Sequence, residues 1–60
     1  MPEYRCYFLS GERLIVKLES ADHADDGKAI AWAIGLHRQH PQYPLIEIRQ
    51  GYRLVDRRQR

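Results

Sequence analysis

The sequence lacks a second cysteine, which removes one common way of stabilising a small domain. Cys6 is the only cysteine among the 60 residues, so the chain cannot form an internal disulfide. A lone thiol is typical of proteins that are kept in a reducing compartment. We therefore expect a cytoplasmic protein that is stabilised by its packing or by association with another chain.

Long apolar runs are also missing. No stretch approaches the ~18 apolar residues of a membrane-spanning helix, and the start of the chain lacks the basic and apolar regions of a signal peptide. We therefore expect neither export nor membrane insertion. Hydrophobic residues make up 43% of the chain and charged residues 30%, which is the composition of an ordinary globular protein. Residues 1–60 are predicted to form one small domain.

The signatures of common catalytic and metal sites are absent. No glycine-rich phosphate loop is present, and Cys6 and the histidines lack the paired spacing of zinc ligands. Asp22, Asp25 and Asp26 lack the alternating pattern of a calcium loop, and helix capping explains them better. Cys6 is predicted to point into the core, where burial raises a thiol pKa and opposes nucleophilicity. We therefore predict no enzyme, no metal site and no cofactor.

Two apolar runs at the start of the chain predict a β-hairpin. Residues 4–9 and 13–19 are rich in aromatic and branched side chains. Ser10 and Gly11 lie between them and predict a loop of about three residues. If even positions lie opposite even positions, period-two alternation places one set of apolar side chains on the core face. That set is Tyr4, Cys6, Phe8, Leu14, Val16 and Leu18.

The middle of the chain predicts one amphipathic helix. Asp22 is the capping candidate, and the helix should continue to about Gln39, since the residue before Pro41 avoids the helical conformation. Its apolar arc spans about 200°, twice the ~100° that covers a single core. Trp32 and Leu36 lie at one flank of this arc, where the large ring of Trp32 is either a lid over the rim of the sheet or an anchor in a partner. Our prediction is that this flank contacts a partner.

The last third of the chain predicts a second hairpin. Its loop is predicted to be Arg49, Gln50 and Gly51 with Gly51 at positive φ, which pairs Ile48 with Tyr52 and Ile46 with Leu54. Residues 55–60 are expected to be a frayed basic tail. The fold class is therefore α+β, ββαββ, a four-stranded antiparallel sheet of two hairpins with one helix packed on one face.

Three segments carry a resemblance to other proteins: the aromatic residues 4–9, the helix entry at residues 21–26, and residues 46–55 with Gln50-Gly51 before Arg53-Leu54-Val55. In these segments the chain resembles short bacterial proteins that have an aromatic first strand, an entry to the helix rich in aspartate and alanine, and a closing Gln-Gly-x-Arg-Leu-Val segment. The resemblance covers nearly the whole chain. It implies a bacterial, cytoplasmic setting and brings no activity with it.

The predicted sheet face away from the helix is not simply polar. Odd positions place Tyr7, Ile15, Leu45 and Val55 there, although such a face is usually hydrophilic. Together with Trp32 and Leu36, these residues are the candidates for binding a protein partner. We expect a non-catalytic interaction or accessory protein that acts through homodimerisation or through a protein partner, and we see no small-molecule substrate and no membrane among its partners.

The alternative is nucleic-acid binding. The cations that would contact phosphates lie on the same exposed face and in the C-terminal tail, with Tyr7 as a stacking group. On the face they are Arg5, Lys17, Arg49, Arg53 and Arg57, and in the tail Arg58 follows. Against this, Glu19 and Glu47 weaken the positive field, and the net charge is only +2. Protein contact is therefore the preferred hypothesis.

Overall fold

The computed structural model describes residues 2–60, and over these residues it confirms the predicted α+β fold with four strands and one helix in the order ββαββ. The elements are β1 (Glu3–Leu9), β2 (Ile15–Asp22), α1 (Asp26–Gln39), β3 (Leu45–Gln50) and β4 (Arg53–Gln59). The strands form one antiparallel sheet in the order β2-β1-β3-β4. The two hairpins therefore join through β1 and β3, which leaves β2 and β4 as the edge strands.

The helix begins later than predicted and ends where predicted. The N-cap is Asp25, whose side chain accepts a hydrogen bond from the Lys28 N–H at 2.8 Å. The prediction of Asp22 was wrong because the β1–β2 ladder continues there: the His23 N–H donates to the Pro2 carbonyl at 3.1 Å. His40 is the C-cap, as the following proline predicts. Among the described residues 2–60, α1 falls short of the length and hydrophobicity that a transmembrane helix requires.

The core lies between α1 and the two central strands. Its fully buried residues are Tyr4, Cys6 and Phe8 of β1, Ile46 and Ile48 of β3, and Ala29 and Ala33 of α1. The small alanines let the helix approach the sheet closely, so the larger side chains of β1 and β3 fill the space between them. The predicted burial of Cys6 is confirmed, and desolvation, helped by the Glu19 carboxylate, raises the pKa of its thiol to about 12.

The predicted register of the first hairpin is wrong. Tyr7 lies opposite Leu18, and Phe8 lies opposite Lys17, so even positions of β2 face odd positions of β1. Because cross-strand partners project from the same side of a sheet, a shift of one residue moves every side chain to the other face. Residues expected in the core are therefore exposed: Leu14, Val16 and Leu18.

The loop of the first hairpin sets this register. The Ser10 hydroxyl accepts hydrogen bonds from the N–H groups of Glu12 and Leu14, both at 3.3 Å. Arg13 takes a left-handed conformation with φ of 66°. The loop, residues 10–14, is thus longer than the predicted loop of about three residues, and a β-bulge at Val16 follows it.

The prediction for the second hairpin is confirmed for the conformation of Gly51 and is wrong for the register of the two strands. Gly51 has φ of 59°, as predicted. However, Gln50 lies opposite Arg53 and Ile48 lies opposite Asp56, with a bulge that leaves Val55 without a cross-strand partner. The expected fraying of residues 55–60 is also wrong, because β4 extends to Gln59 and the Arg60 N–H donates to the Pro44 carbonyl at 2.9 Å.

Candidate interaction surface

We call the face of the sheet that α1 does not cover the open face. Pairing assigns its residues: Tyr7 lies between Leu18 and Glu47, and Leu9 lies between Ile15 and Leu45. These side chains project away from Phe8 and the other core residues of β1, since successive residues of a strand point to opposite faces. The open face therefore has apolar residues near the first hairpin loop.

The apolar residues of the open face are contiguous across three strands. We define the apolar patch as Tyr7, Leu9, Ile15, Leu18 and Leu45. Ile15 and Leu18 are 62% and 49% exposed, and Tyr7 is half-buried. Leu9 and Leu45 are buried beside them. The patch thus has a buried base on β1 and β3 and an exposed border on β2.

The edge strand β2 and the loop residue before it carry most of the exposed aliphatic side chains. Leu14 and Ile15 are each 62% exposed, Val16 is 51% exposed, and Leu18 is 49% exposed. A soluble monomer seldom concentrates large apolar side chains in this way, and such a concentration usually marks a contact surface. The sequence pattern did not identify Leu14, Val16 and Leu18 as surface residues, because only the loop conformation decides their face.

Over residues 2–60, the outer side of β2 carries backbone N–H and C=O groups that pair with no other strand. The bond from the His23 N–H to the Pro2 carbonyl shows which residues of β2 bond to β1 and which direct their backbone groups away from it. We call this alternation the backbone phase of β2. Since inward and outward residues alternate in an antiparallel pair, Ala21 and Glu19 bond to β1, whereas Leu18 and Ser20 direct their N–H and C=O groups outward. Within the part of the chain that the structure describes, β1 is the only strand paired with β2.

The structure brings together half of the six residues proposed to bind a partner. Tyr7, Ile15 and Leu45 belong to the apolar patch. The other three, Trp32, Leu36 and Val55, are half-buried and pack against the core. The predicted position of Val55 on the exposed face is wrong, because the bulge in β4 turns its side chain towards the core.

Trp32 closes one end of the core. Its ring centroid lies 4.8 Å from that of His23, which in turn lies 6.1 Å from the ring of Tyr4. Because a large aromatic ring with neighbours on the same chain is already partly desolvated, this arrangement fits a lid over the core. The tryptophan therefore has a structural role that needs no partner.

The cations of the open face are paired with acids. Glu47, whose side chain is 14% exposed, binds Arg49 at 3.2 Å and Arg57 at 2.8 Å. Arg5 lies 3.5 Å from Glu3. The charged half of the open face is therefore a local network of opposite charges, which weakens its positive field.

Three further cations proposed to bind nucleic acid lie on the side of α1. Lys17 lies opposite Phe8, Arg53 opposite Gln50, and Arg58 opposite Ile46. The predictions that Lys17 and Arg53 lie on the exposed face were wrong, because both hairpins have a different register. Each has a carboxylate partner: Glu19 at 3.4 Å, Asp26 at 2.8 Å and Asp56 at 3.0 Å.

A hydrogen-bond network ties the start of α1 to the sheet. Asp26 accepts the Tyr4 hydroxyl at 2.8 Å, and the Arg53 guanidinium donates to both of its carboxylate oxygens at 2.9 and 2.8 Å. Arg53, followed by Tyr4, lowers the pKa of Asp26 to about 2. The hydrogen bond to Asp26 in turn raises the pKa of Tyr4. Sequence reasoning assigned Asp26 to helix capping alone and missed this network.

Two further polar features are a pocket beside the first hairpin loop and the buried His37 of α1. A shallow pocket lies beside the first hairpin loop and is lined by Ser10, Gly11, Arg13, Pro44, Leu45 and Gln59. Over residues 2–60, no group of three or more histidine, cysteine, aspartate or glutamate side chains could hold a metal ion. The imidazole Nε2 of His37 lies 2.8 Å from the Tyr43 carbonyl oxygen, so the nitrogen donates and stabilises the connection to β3.

No protein-family model, curated protein or solved structure matches this chain. The function is therefore inferred from the surface of the molecule.

Proposed function

We propose that this protein is a small, non-catalytic interaction protein that acts by associating with itself or with a protein partner. The observation that carries the proposal is the edge strand β2, where Ile15, Val16 and Leu18 are 62%, 51% and 49% exposed. Beside them, over residues 2–60, the outer backbone N–H and C=O groups of β2 pair with no other strand. An edge strand of this kind is the usual site for adding a further strand. The surface therefore fits a polypeptide better than a small molecule.

The charges support protein contact over nucleic-acid contact. Lys17, Arg53 and Arg58 project on the α1 side, and Arg5, Arg49 and Arg57 project on the open face. All six have a carboxylate within 3.5 Å. A phosphate backbone would have to compete with these acids and would meet only some of the cations.

The thiol chemistry supports a non-catalytic role. The Cys6 side chain is fully buried, and its pKa of about 12 keeps the thiol protonated at neutral pH. A protonated thiol is a poor nucleophile. The pocket beside the first loop has no acid–base pair among its lining residues, since its hydrogen-bonding side chains are those of Ser10, Arg13 and Gln59.

The test compares two substitutions of exposed apolar residues at different places. Ile15→Lys changes β2, and Tyr52→Lys changes the turn of the second hairpin, where Tyr52 is fully exposed. Both variants should remain folded by circular dichroism. We expect association to be weakened by Ile15→Lys and unchanged by Tyr52→Lys, whether it is measured as sedimentation mass or as retention of a purified partner protein. Equal behaviour of the two variants, or binding to RNA or DNA alone with steep salt dependence, would contradict the proposal.

A further inference from the structure

We infer that the partner is a second copy of this chain, and that two copies pair antiparallel along β2 with Leu18 at the two-fold axis. This inference rests on the proposed function and names the partner and the register of the contact. The two four-stranded sheets would then continue into one sheet, with both copies of α1 on the same face.

The backbone phase of β2 allows only some registers. Leu18 and Ser20 direct their N–H and C=O groups away from β1, as the phase set by His23 and Pro2 requires. A second strand can therefore bond to β2 only when its own outward residues lie opposite these two. For a symmetric pair of β2 strands, this condition leaves the registers centred on residues 17, 18, 19 and 20.

The charges of β2 select one of these registers. Centring the pair on Lys17 places two lysines opposite each other, and centring it on Glu19 does the same for two glutamates, both of which are unfavourable. Centring it on Ser20 places Leu18 opposite Asp22. Centring it on Leu18 places Lys17 of each copy opposite Glu19 of the other, which makes two cross-strand pairs of opposite charge.

The same register joins the exposed apolar residues of the two copies. The Leu18 side chains meet at the axis on the open face, so the apolar patches of both copies become continuous. Lys17 and Glu19 already lie 3.4 Å apart within one strand on the α1 side. When two copies pair, Lys17 of one copy can bind Glu19 of the other copy instead of its own Glu19. Both side chains then stay on the α1 side of the sheet.

A charged side chain on the core side of an edge strand usually prevents pairing with foreign strands. In β2, Lys17 lies on the α1 side, and an added strand neutralises it only if it has an acidic residue directly opposite. The two-fold arrangement supplies Glu19 at that place. The charges therefore disfavour many other strands and favour a second copy. Because a single strand buries less than the ~1,200 Å² of a standard interface, we expect a dimer that dissociates in the micromolar range.

Charge reversal tests the register on the full chain. Lys17→Glu and Glu19→Lys each place like charges opposite each other in a homodimer, and each should raise the dissociation constant about ten-fold or more. When the two variants are mixed, opposite charges face each other again, and the mixture should dimerise like the wild type. Lys28→Glu on α1 is the matched control, since it makes the same charge change at an exposed site outside β2. Sedimentation velocity over a concentration series measures all five samples, which are the wild type, the three single variants and the mixture.

Cross-linking supplies a second measurement that does not depend on charge. In the proposed register the two Leu18 Cα atoms are about 5.5 Å apart, whereas the two Ser20 Cα atoms are separated by about 13 Å along the strands. A short bis-maleimide should therefore couple Leu18→Cys into dimers and couple Ser20→Cys much less. The native Cys6 is buried and should not compete.

The outcomes separate this inference from the proposed function. Loss of dimer in each single reversal, with recovery in the mixture, supports the inference. The inference is overturned if the wild type stays monomeric up to millimolar concentration. It is also overturned if dimerisation is unchanged by both charge reversals and the two cysteine variants cross-link equally. If the monomer still binds a different purified protein in a manner sensitive to Ile15→Lys, the proposed function stands and the second copy is the wrong partner.

Discussion

The two edge strands of this sheet differ in how they meet the solvent. In β2, Ile15, Val16 and Leu18 expose aliphatic side chains. In β4, Arg53, Arg57 and Arg58 dominate the surface, and each is paired with an acid. Charged side chains along an edge are a common protection against unwanted strand pairing. β4 carries three arginines along its edge, whereas β2 carries its charges, Lys17 and Glu19, on the α1 side and exposes aliphatic side chains beside them.

The position of the helix explains part of this difference. Among the strands, α1 packs chiefly against β3 and β4. Arg53 holds the start of the helix through Asp26, and Val55 packs against the core. β4 is thus fixed by side-chain contacts as well as by its ladder. β2 depends on its pairing with β1, so its stability can change without the core changing.

The largest expected effect is a loss of stability on substitution in the core, compared with the same kind of substitution on the edge strand β2. Ile48 of β3 is fully buried, and Ile48→Ala should lower the free energy of unfolding by about 2–5 kcal/mol, through lost burial and the cavity that remains. Val16→Ala on β2 should cost less than about 1 kcal/mol, because Val16 is half exposed already. Urea unfolding of both variants measures the difference. Equal losses would mean that Val16 belongs to the core, as the sequence alone suggested.

The second expected effect concerns the tie between β4 and the helix. Asp26 has a pKa of about 2 in the folded chain, below its ordinary value of 3.8, chiefly because of Arg53. A lowered pKa contributes stability that is present above the ordinary value and is lost as the pH falls through the folded value. Asp26→Asn should therefore lower the melting temperature at pH 6, and this deficit should shrink as the pH falls from about 4 to about 2.

Asp22→Asn is the control for this prediction. Asp22 is an exposed carboxylate at the end of β2 and takes no part in the network of Tyr4, Asp26 and Arg53. Replacing the Asp22 carboxylate should leave the melting temperature nearly unchanged both at pH 6 and at the acidic end of the series. A deficit of Asp26→Asn that stays constant with pH would show that the carboxylate charge is not what ties β4 to α1.

The sequence was sufficient for the parts of the fold that depend on local signals. Pro41 marks the end of α1, and Gly51 marks the turn of the second hairpin with its positive φ. Alternation around Cys6 predicted its burial correctly. These features are readable because each follows from the conformational limits of one or two residues.

Register and surface could not be predicted from the same signals. Leu14, Val16 and Leu18 alternate like core residues, yet Ser10 and Arg13 form a loop that shifts the strand by one position. A left-handed arginine carries no sequence signature comparable to that of glycine. The candidate surface depends on this shift, so it became visible only with the pairing of β1 and β2.

A smaller effect is expected at Cys6, which lies in β1 between the two halves of the sheet. Cys6→Ala removes a buried sulfur atom and should cost about 1 kcal/mol of unfolding free energy. Its thiol should react slowly with a maleimide in the native chain, since burial raises its pKa to about 12. Rapid labelling without denaturant would show that β1 separates from its neighbours and would contradict the assignment of Cys6 to the stable interior.

The smallest effect on stability gives the most direct comparison of the two edges. Leu18 on β2 and Leu54 on β4 are 49% and 44% exposed, and both project on the open face beside a central strand. Replacing either leucine with threonine keeps a branched residue suited to a strand, so each variant should unfold within about 0.5 kcal/mol of the wild type. Their effects on association should differ, because only Leu18 lies on β2, the proposed contact edge.

Sedimentation of the wild type, Leu18→Thr and Leu54→Thr over the same concentration range therefore tests the asymmetry itself. We expect Leu18→Thr to shift the monomer–dimer midpoint to higher concentration and Leu54→Thr to leave it in place. If Leu54→Thr has the larger effect, β4 is the contact edge, and its arginine pairs with Glu47 and Asp56 belong to an interface. The comparison is sharp because the two substitutions have the same chemistry and nearly the same starting exposure, and differ in the edge strand that carries them.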